Sequence, residues 1–244
     1  MDLVFLLFLI VGFLFALFGG GGSVLTIPIL MFFFDTSFNE ATTYSLLVIF
    51  FISLLSTIGN LEKKIIPIKS LLAFGMSSIT GVFLGRRYLF TYFPENISIF
   101  LFIGIMFLSA FLIIKKNKKI IFHISQKSIL AQGLFVGILT SLLGIGGGFL
   151  IVPILIIFQN MNIKQAVRSA LFLMLLNSFC AICVDFSQIH YQLNLNILVP
   201  MILFSIFGML FGEWVMKSLN VQLLTKIFSF LLIVMGFILL FNYL

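Results

Sequence analysis

The chain has 244 residues, of which 62% are hydrophobic and 9% charged, with a formal net charge of +7. A water-soluble domain carries roughly 25% charged residues, so this composition excludes one and points to a protein embedded in lipid. There the basic excess marks the cytoplasmic side rather than a nucleic-acid partner, and two cysteines cannot supply a disulfide framework.

Measured against the roughly 17–25 apolar residues that a spanning helix needs, the chain yields four segments in each half. The first, 3–34, is interrupted by Gly19-Gly20-Gly21-Gly22 and carries Pro28 beyond the break. It has no basic n-region and no Ala-x-Ala-like site, so it does not read as a cleavable signal. Segments 42–58, 65–84 and 97–114 follow, and then a short basic stretch over 115–127. The second half opens with 128–158, interrupted at Gly144-Ile145-Gly146-Gly147-Gly148 with Pro153 beyond, and continues with 167–183, 195–215 and 223–243. The expected domains are therefore a first transmembrane repeat, 1–114, a cytoplasmic loop, 115–127, and a second repeat, 128–244. The fold class is an all-α polytopic membrane protein.

The halves are copies. From 11–30 against 136–155, at a constant offset of 125 residues, 11 of 20 positions are identical, among them Gly19, Gly21, Gly22, Pro28 and their mates. Phe33/Phe158, Ala41/Ala166, Leu46/Leu171 and Ser53/Ser178 keep that register. Gly81 and Gly85 recur as Gly208 and Gly212 at an offset of 127, repeating a small-xxx-small face suited to close helix contact. If both interrupted segments cross once, the halves are parallel and the 14 Lys and Arg split 8 inside to 6 outside. If both fold back as hairpins, the halves are inverted and the split is 12 to 2, with only Arg86 and Arg87 outside. The positive-inside rule favours the second arrangement. It has eight apolar segments, or ten helices if each hairpin arm is counted, and both termini external.

Shared Gly/Pro-interrupted segments in corresponding positions are a pointer to a transporter site made of broken helices. Glycine lets the chain turn tightly and brings amides close to a ligand. The helix that starts after each run offers unpaired N–H groups and the positive end of its dipole, which together favour an anion. The candidate substrate-binding residues are Gly19, Gly21, Gly22, Ser23 and Thr26 in the first copy, and Thr140, Ser141, Gly144, Gly146, Gly147 and Gly148 in the second. Against this stands the reading that the glycines serve only tight helix crossing. Asn177 and Ser178, with Ser53 as the mate of Ser178, lie mid-segment, where polar groups mark either a site or an interhelical hydrogen bond. Asp185 and Glu213 are proton-coupling candidates, each with a hydrated interfacial carboxylate as the alternative. Arg168 reads as a snorkelling cation.

The duplicated G-x-G-G-G-x(4)-P pattern, four apolar segments per half and the total length resemble the TauE/SafE family of sulfite exporters. That resemblance covers nearly the whole chain. It implies a multi-pass inner-membrane carrier, not an enzyme, that moves sulfite, organosulfonates or related small anions on the proton gradient. The first copy departs in having Gly20 and Ser23 where the second has Ile145 and Gly148. No cofactor is expected, since no G-x-x-x-x-G-K-[ST] motif occurs, and no metal, since His123 and His190 lack ligand-spaced partners. The expected partners are a small anion and the bilayer, with no nucleic acid and with the oligomeric state open. Two other readings are a thiol relay through Cys180 and Cys183, whose mates are Leu55 and Ile58, and a structural membrane subunit without transport of its own.

Overall fold

The computed structural model describes residues 2–243 apart from 21, 62–67, 91, 93, 116–125, 145, 160, 189–192 and 219. The first half comprises α1 (Asp2–Phe18), α2 (Ser23–Phe33), α3 (Phe38–Leu61), α4 (Ile68–Leu84), a π-helical turn (Gly85–Leu89) and α5 (Glu95–Lys115). The second comprises α6 (Gln126–Leu143), α7 (Gly148–Phe158), α8 (Ile163–Gln188), α9 (Leu195–Ser218) and α10 (Val221–Tyr243). Among the described residues there is no strand, so the all-helical class holds.

Each glycine run ends one helix and starts another. At 11 residues, α2 and α7 are about 16 Å long, roughly half the hydrocarbon thickness of a bilayer. By length and composition, Phe38–Gly59, Ile163–Ser187 and Leu195–Met216 can cross a membrane. Helices α3 and α8 both start about four residues before their apolar runs, because polar residues begin them. Ser37 Oγ accepts the Glu40 N–H at 3.3 Å while Glu40 Oε2 accepts the Ser37 N–H at 3.4 Å, a reciprocal cap. At α8, Asn162 Oδ1 accepts the Gln165 N–H at 2.8 Å, satisfying a donor of the first turn.

Packing pairs α1 with α9, α4 with α6, α3 with α8, and α5 with α10. The closest approaches run over glycine. On one side Gly12 faces the Ser205 carbonyl, Gly208 faces that of Leu9, and Gly212 faces that of Phe13. On the other, Gly137 faces the Ser78 carbonyl, Gly81 that of Leu134, and Gly85 both Ile138 and the Ser141 hydroxyl. With little hydrophobic drive between helices in lipid, such backbone approach supplies dispersion contact instead. Phenylalanines close the remaining gaps: Phe18 stacks on Phe228 with centroids 5.0 Å apart, and Phe107 meets Phe237 edge-on at 5.1 Å. Outside this core Phe207, Phe211, Trp214, Phe230 and Phe241 are exposed, as a lipid-facing surface requires.

This packing sets which glycines can change. A Cβ at Gly137 or Gly81 lands on a neighbouring carbonyl, whereas one at Gly104 or Gly59 meets nothing within 4 Å. Gly137→Leu and Gly81→Leu are expected to abolish accumulation of folded protein. Gly104→Ala is expected to be neutral or stabilising by up to about 1 kcal/mol, the helix-propensity gain. Thermal unfolding in detergent checks both, and equal behaviour of the two classes contradicts the packing.

Candidate functional site

Conformations open only to glycine build the two breaks. Gly19 and Gly20 have φ of 59° and 115°, and Gly144, Gly146 and Gly147 have 63°, 60° and 81°, where a Cβ is penalised. Helix α1 closes with the Gly19 N–H donating to Phe15 O at 2.8 Å, and α6 with the Gly144 N–H donating to Thr140 O at 3.0 Å. The next helices restart with Ser23 N–H on Gly20 O at 3.1 Å and Ile151 N–H on Gly147 O at 2.8 Å.

The runs meet. A Cβ at Gly20 would strike the backbone of Gly148, and one at Gly148 would strike the Gly19 carbonyl and Gly20. Each run also lies on the long helix of the other half: Gly19 on Val167 of α8, Gly144 on Thr42 and Gly146 on Ile49 of α3. Gly19, Gly22, Gly144, Gly146, Gly147 and Gly148 are all buried, while Gly21 falls outside the described residues.

Most of the candidate hydroxyls turn back on their own chain. Ser23 donates to Gly20 O, Thr26 to Gly22 O, Thr140 to Gly137 O and Ser141 to Ile138 O. Ser53 donates to Ile49 O and Ser178 to Met174 O. Asn177 reaches across to α4, where it and Ser78 donate to each other at 2.9 and 3.0 Å. Five buried hydroxyls that the sequence did not single out, those of Thr36, Ser45, Thr57, Ser169 and Ser205, are unpartnered among the described residues. Of these, Ser45 shares the helical face of Thr42 and Ile49 that covers the second glycine run.

The strongest polar feature is an ion pair between Arg86 and Asp185. Arg86 is 1% exposed and Asp185 3%. The π-helical turn, closed by the Phe90 N–H on Gly85 O at 2.8 Å, carries Arg86. Its Nε donates to Asp185 Oδ1 at 2.5 Å and its Nη2 to Asp185 Oδ2 at 2.7 Å, a bidentate fork. Nη1 donates to Ser141 O at 3.1 Å and Nη2 also to Thr42 Oγ1 at 3.1 Å. Thr43 Oγ1 donates to Asp185 Oδ2 at 3.1 Å, and the Phe90 ring lies 3.6 Å from the guanidinium carbon. Removing one partner of such a buried pair costs about 3–5 kcal/mol, because the other charge is stranded. Asp185 is therefore a buried, paired carboxylate rather than the hydrated interfacial one the sequence also allowed.

Sequence reading missed Arg86, Thr42, Thr43, Ser45 and Ser78 as site residues. For Arg86 a signal existed, since it is one of two exceptions to the charge split. Glu213, at the repeat position of Arg86, accepts from Ser56 Oγ at 2.7 Å and is partly buried. Cys180 and Cys183 are free thiols, the first packed by Ile79 O at 3.8 Å and the second exposed. Arg168 is half-buried, and His123 and His190 lie outside the described residues.

The family model described as "Sulfite exporter TauE/SafE" matches residues 4–239. The chain belongs to the TauE/SafE sulfite exporter family. Among its relatives, the "Probable membrane transporter protein YunE" of Bacillus subtilis is 29% identical over 198 residues, 70% of this chain and 72% of that protein. The "Probable membrane transporter protein MJ0441" of Methanocaldococcus jannaschii is 37% identical over 108 residues, 41% of this chain and 39% of that protein. No solved structure matches. The TauE/SafE match and the apolar helices make this a multi-pass membrane protein of a transporter family.

The Ser78–Asn177 bond is open to measurement. Interhelical hydrogen bonds in membranes couple by about 0.6 kcal/mol on average and by about 1.7 at most. A double-mutant cycle of Ser78→Ala and Asn177→Ala on unfolding is expected to fall in that range. Zero coupling would mean that the two side chains do not pair.

Proposed function

We propose that this protein is a secondary transporter of the inner membrane that exports sulfite, organosulfonates or related small anions, driven by the proton gradient. The observation that carries the reading is the buried contact between two glycine-broken helices at Gly20 and Gly148. Breaks inside a membrane protein leave backbone donors that must find partners in protein or a wet cavity, and helix starts at such breaks suit an anion. The unpartnered Ser45 hydroxyl beside the second run supports the same location. A dianion finds several partial positive charges there. The residues we assign to the anion are Gly19, Gly21, Gly22, Ser23 and Thr26 with Thr140, Ser141, Gly144, Gly146, Gly147 and Gly148, together with Ser53, Asn177 and Ser178.

The reading includes two inverted repeats joined by a cytoplasmic loop. Arg86 at the end of α4, Asp185 near the end of α8, Ser141 near the end of α6 and Thr42 near the start of α3 converge. Those four helix ends then share one side, which gives α7 the return path between α6 and the start of α8. By the same logic, Ser56 near the end of α3 meets Glu213 near the end of α9. Gly208 and Gly212 of α9 meet Leu9 and Phe13 of α1 in parallel order, so α1 ends on the opposite side from α6. Opposed first helices are what an inverted duplication requires.

Reporter fusions at residue 120 and at the C-terminus are expected to report opposite sides of the membrane, the first cytoplasmic. Reports from one side would restore eight single crossings. In proteoliposomes with an imposed pH gradient, wild-type protein is expected to move labelled sulfite or a sulfonate. Gly146→Leu and Gly147→Leu are expected to abolish that flux, because each adds bulk at a positive φ against Ile49 or Thr140. Asn177→Ala is expected to weaken apparent affinity more than abundance. Cys180→Ser with Cys183→Ser is expected to retain transport, and its loss there, with the glycine variants active, would favour a thiol relay.

A further inference from the structure

We propose that Arg86 is the residue that binds the transported anion, and that the Asp185 carboxylate is an internal stand-in for it, displaced from the guanidinium when the anion arrives. This deepens the anion-transport reading and rests on it. An arginine cannot shed its proton at any physiological pH, so a chain that buries one must keep a counter-charge beside it throughout. Asp185 supplies that charge here, and its two oxygens occupy the Nε and Nη2 donors as a bidentate oxyanion would. A sulfite, sulfonate or carboxylate presents the same pair of oxygens. The chemistry recognised is thus a small oxyanion with at least two oxygens free on one face.

Three observations place this fork beside the anion cradle rather than in a remote structural clamp. Ser141, whose carbonyl accepts from Nη1, is in the last turn of α6, three residues before Gly144. Thr42, whose hydroxyl accepts from Nη2, is the side chain on which Gly144 packs. Ser45, one turn further along that face of α3, is buried with its hydroxyl unpartnered among the described residues. An anion that moved from the glycine amides to Arg86 would pass from one set of donors to the next across a single side chain. The π-helical turn adds the means of aiming, since it turns Arg86 inward from a helix whose next residues, Arg87 and Tyr88, are exposed. Single π turns within α-helices occur often at functional sites.

The groups that face Asp185 are Arg86 from the π turn and Thr43 from α3. The other titratable side chains at this level turn elsewhere. Arg87 and Cys183 are exposed, Glu40 caps α3 at Ser37, and α7, which also packs on α8, carries no titratable residue.

The alternative is that the pair only pins α4 to α8. Three variants separate the two: Arg86→Gln, Asp185→Asn, and both together. Each is purified in detergent for thermal unfolding with and without sulfite or methanesulfonate, and reconstituted for flux of labelled sulfite. Wild-type protein is expected to be stabilised saturably by the anions. Asp185→Asn frees the fork. It is expected to melt lower without ligand and to bind about tenfold more tightly, the equivalent of removing one competing contact. The double variant removes both charges together. It is expected to recover the wild-type melting temperature yet show no stabilisation by either anion and no flux. If the double variant binds and transports as wild type does, the pair is a structural clamp and the proposal is overturned, while the transport reading survives. If the wild-type protein neither binds nor moves these anions, the transport reading fails and this proposal fails with it.

Discussion

Lipid offers no hydrogen-bond partner, so a helix that stops partway through a membrane protein must stop inside protein. That constraint governs this architecture. Helices α1 and α6 end at glycine runs, and α2 and α7 are too short to reach from one face of a bilayer to the other. The chain satisfies the constraint by placing the breaks against each other, Gly20 on Gly148, and against the long helices α3 and α8 of the opposite half. The contact demands the absence of side chains at both glycines.

The same economy of side chains holds the outer pairs together. Helices α1 and α9 approach through Gly12, Gly208 and Gly212, and α4 and α6 through Gly81, Gly85, Gly133 and Gly137. These contacts are dense without being wide, and in lipid close packing outweighs apolar area as a source of association. At Gly85 the close approach also matters for chemistry. It sits where the π turn begins and abuts Ser141, so the step that brings α4 onto α6 also delivers the Arg86 guanidinium to the Ser141 carbonyl.

Much of the fold was legible in the sequence. The glycine runs and the apolar spans marked every helix, since both follow from the lipid constraint read residue by residue. The caps were not, because counting apolar residues misses Ser37 and Asn162, whose value lies in satisfying first-turn donors. Of the candidate site, Gly19, Gly21, Gly22 and their mates could be named because the repeat prints them twice, whereas Gly20, which touches Gly148, has Ile145 as its mate and was missed. The Arg86–Asp185 pair could not be named, since it joins residues 99 apart that no periodicity or spacing links. Arg86 was visible only as a violation of the positive-inside rule, and a violation says that a charge is compensated without saying by what.

Duplication also explains why the pair occurs once. The repeat mate of Arg86 is Glu213, that of Asp185 is Asn60, and that of Thr42 is Val167. At these sequence mates the polar chemistry has diverged to opposite charge. Gly19, Gly21 and Gly22 have glycine mates at 144, 146 and 147, whereas Gly20 and Gly148, which touch, have Ile145 and Ser23 as theirs. A second buried arginine would add another desolvated charge with its own partner to supply. Glu213 instead accepts a hydrogen bond from Ser56, which an arginine, having no acceptor, could not replace. Thr42 and Ser56 stand near opposite ends of α3, so a cation with its counter-ion meets one end of that helix and a carboxylate the other.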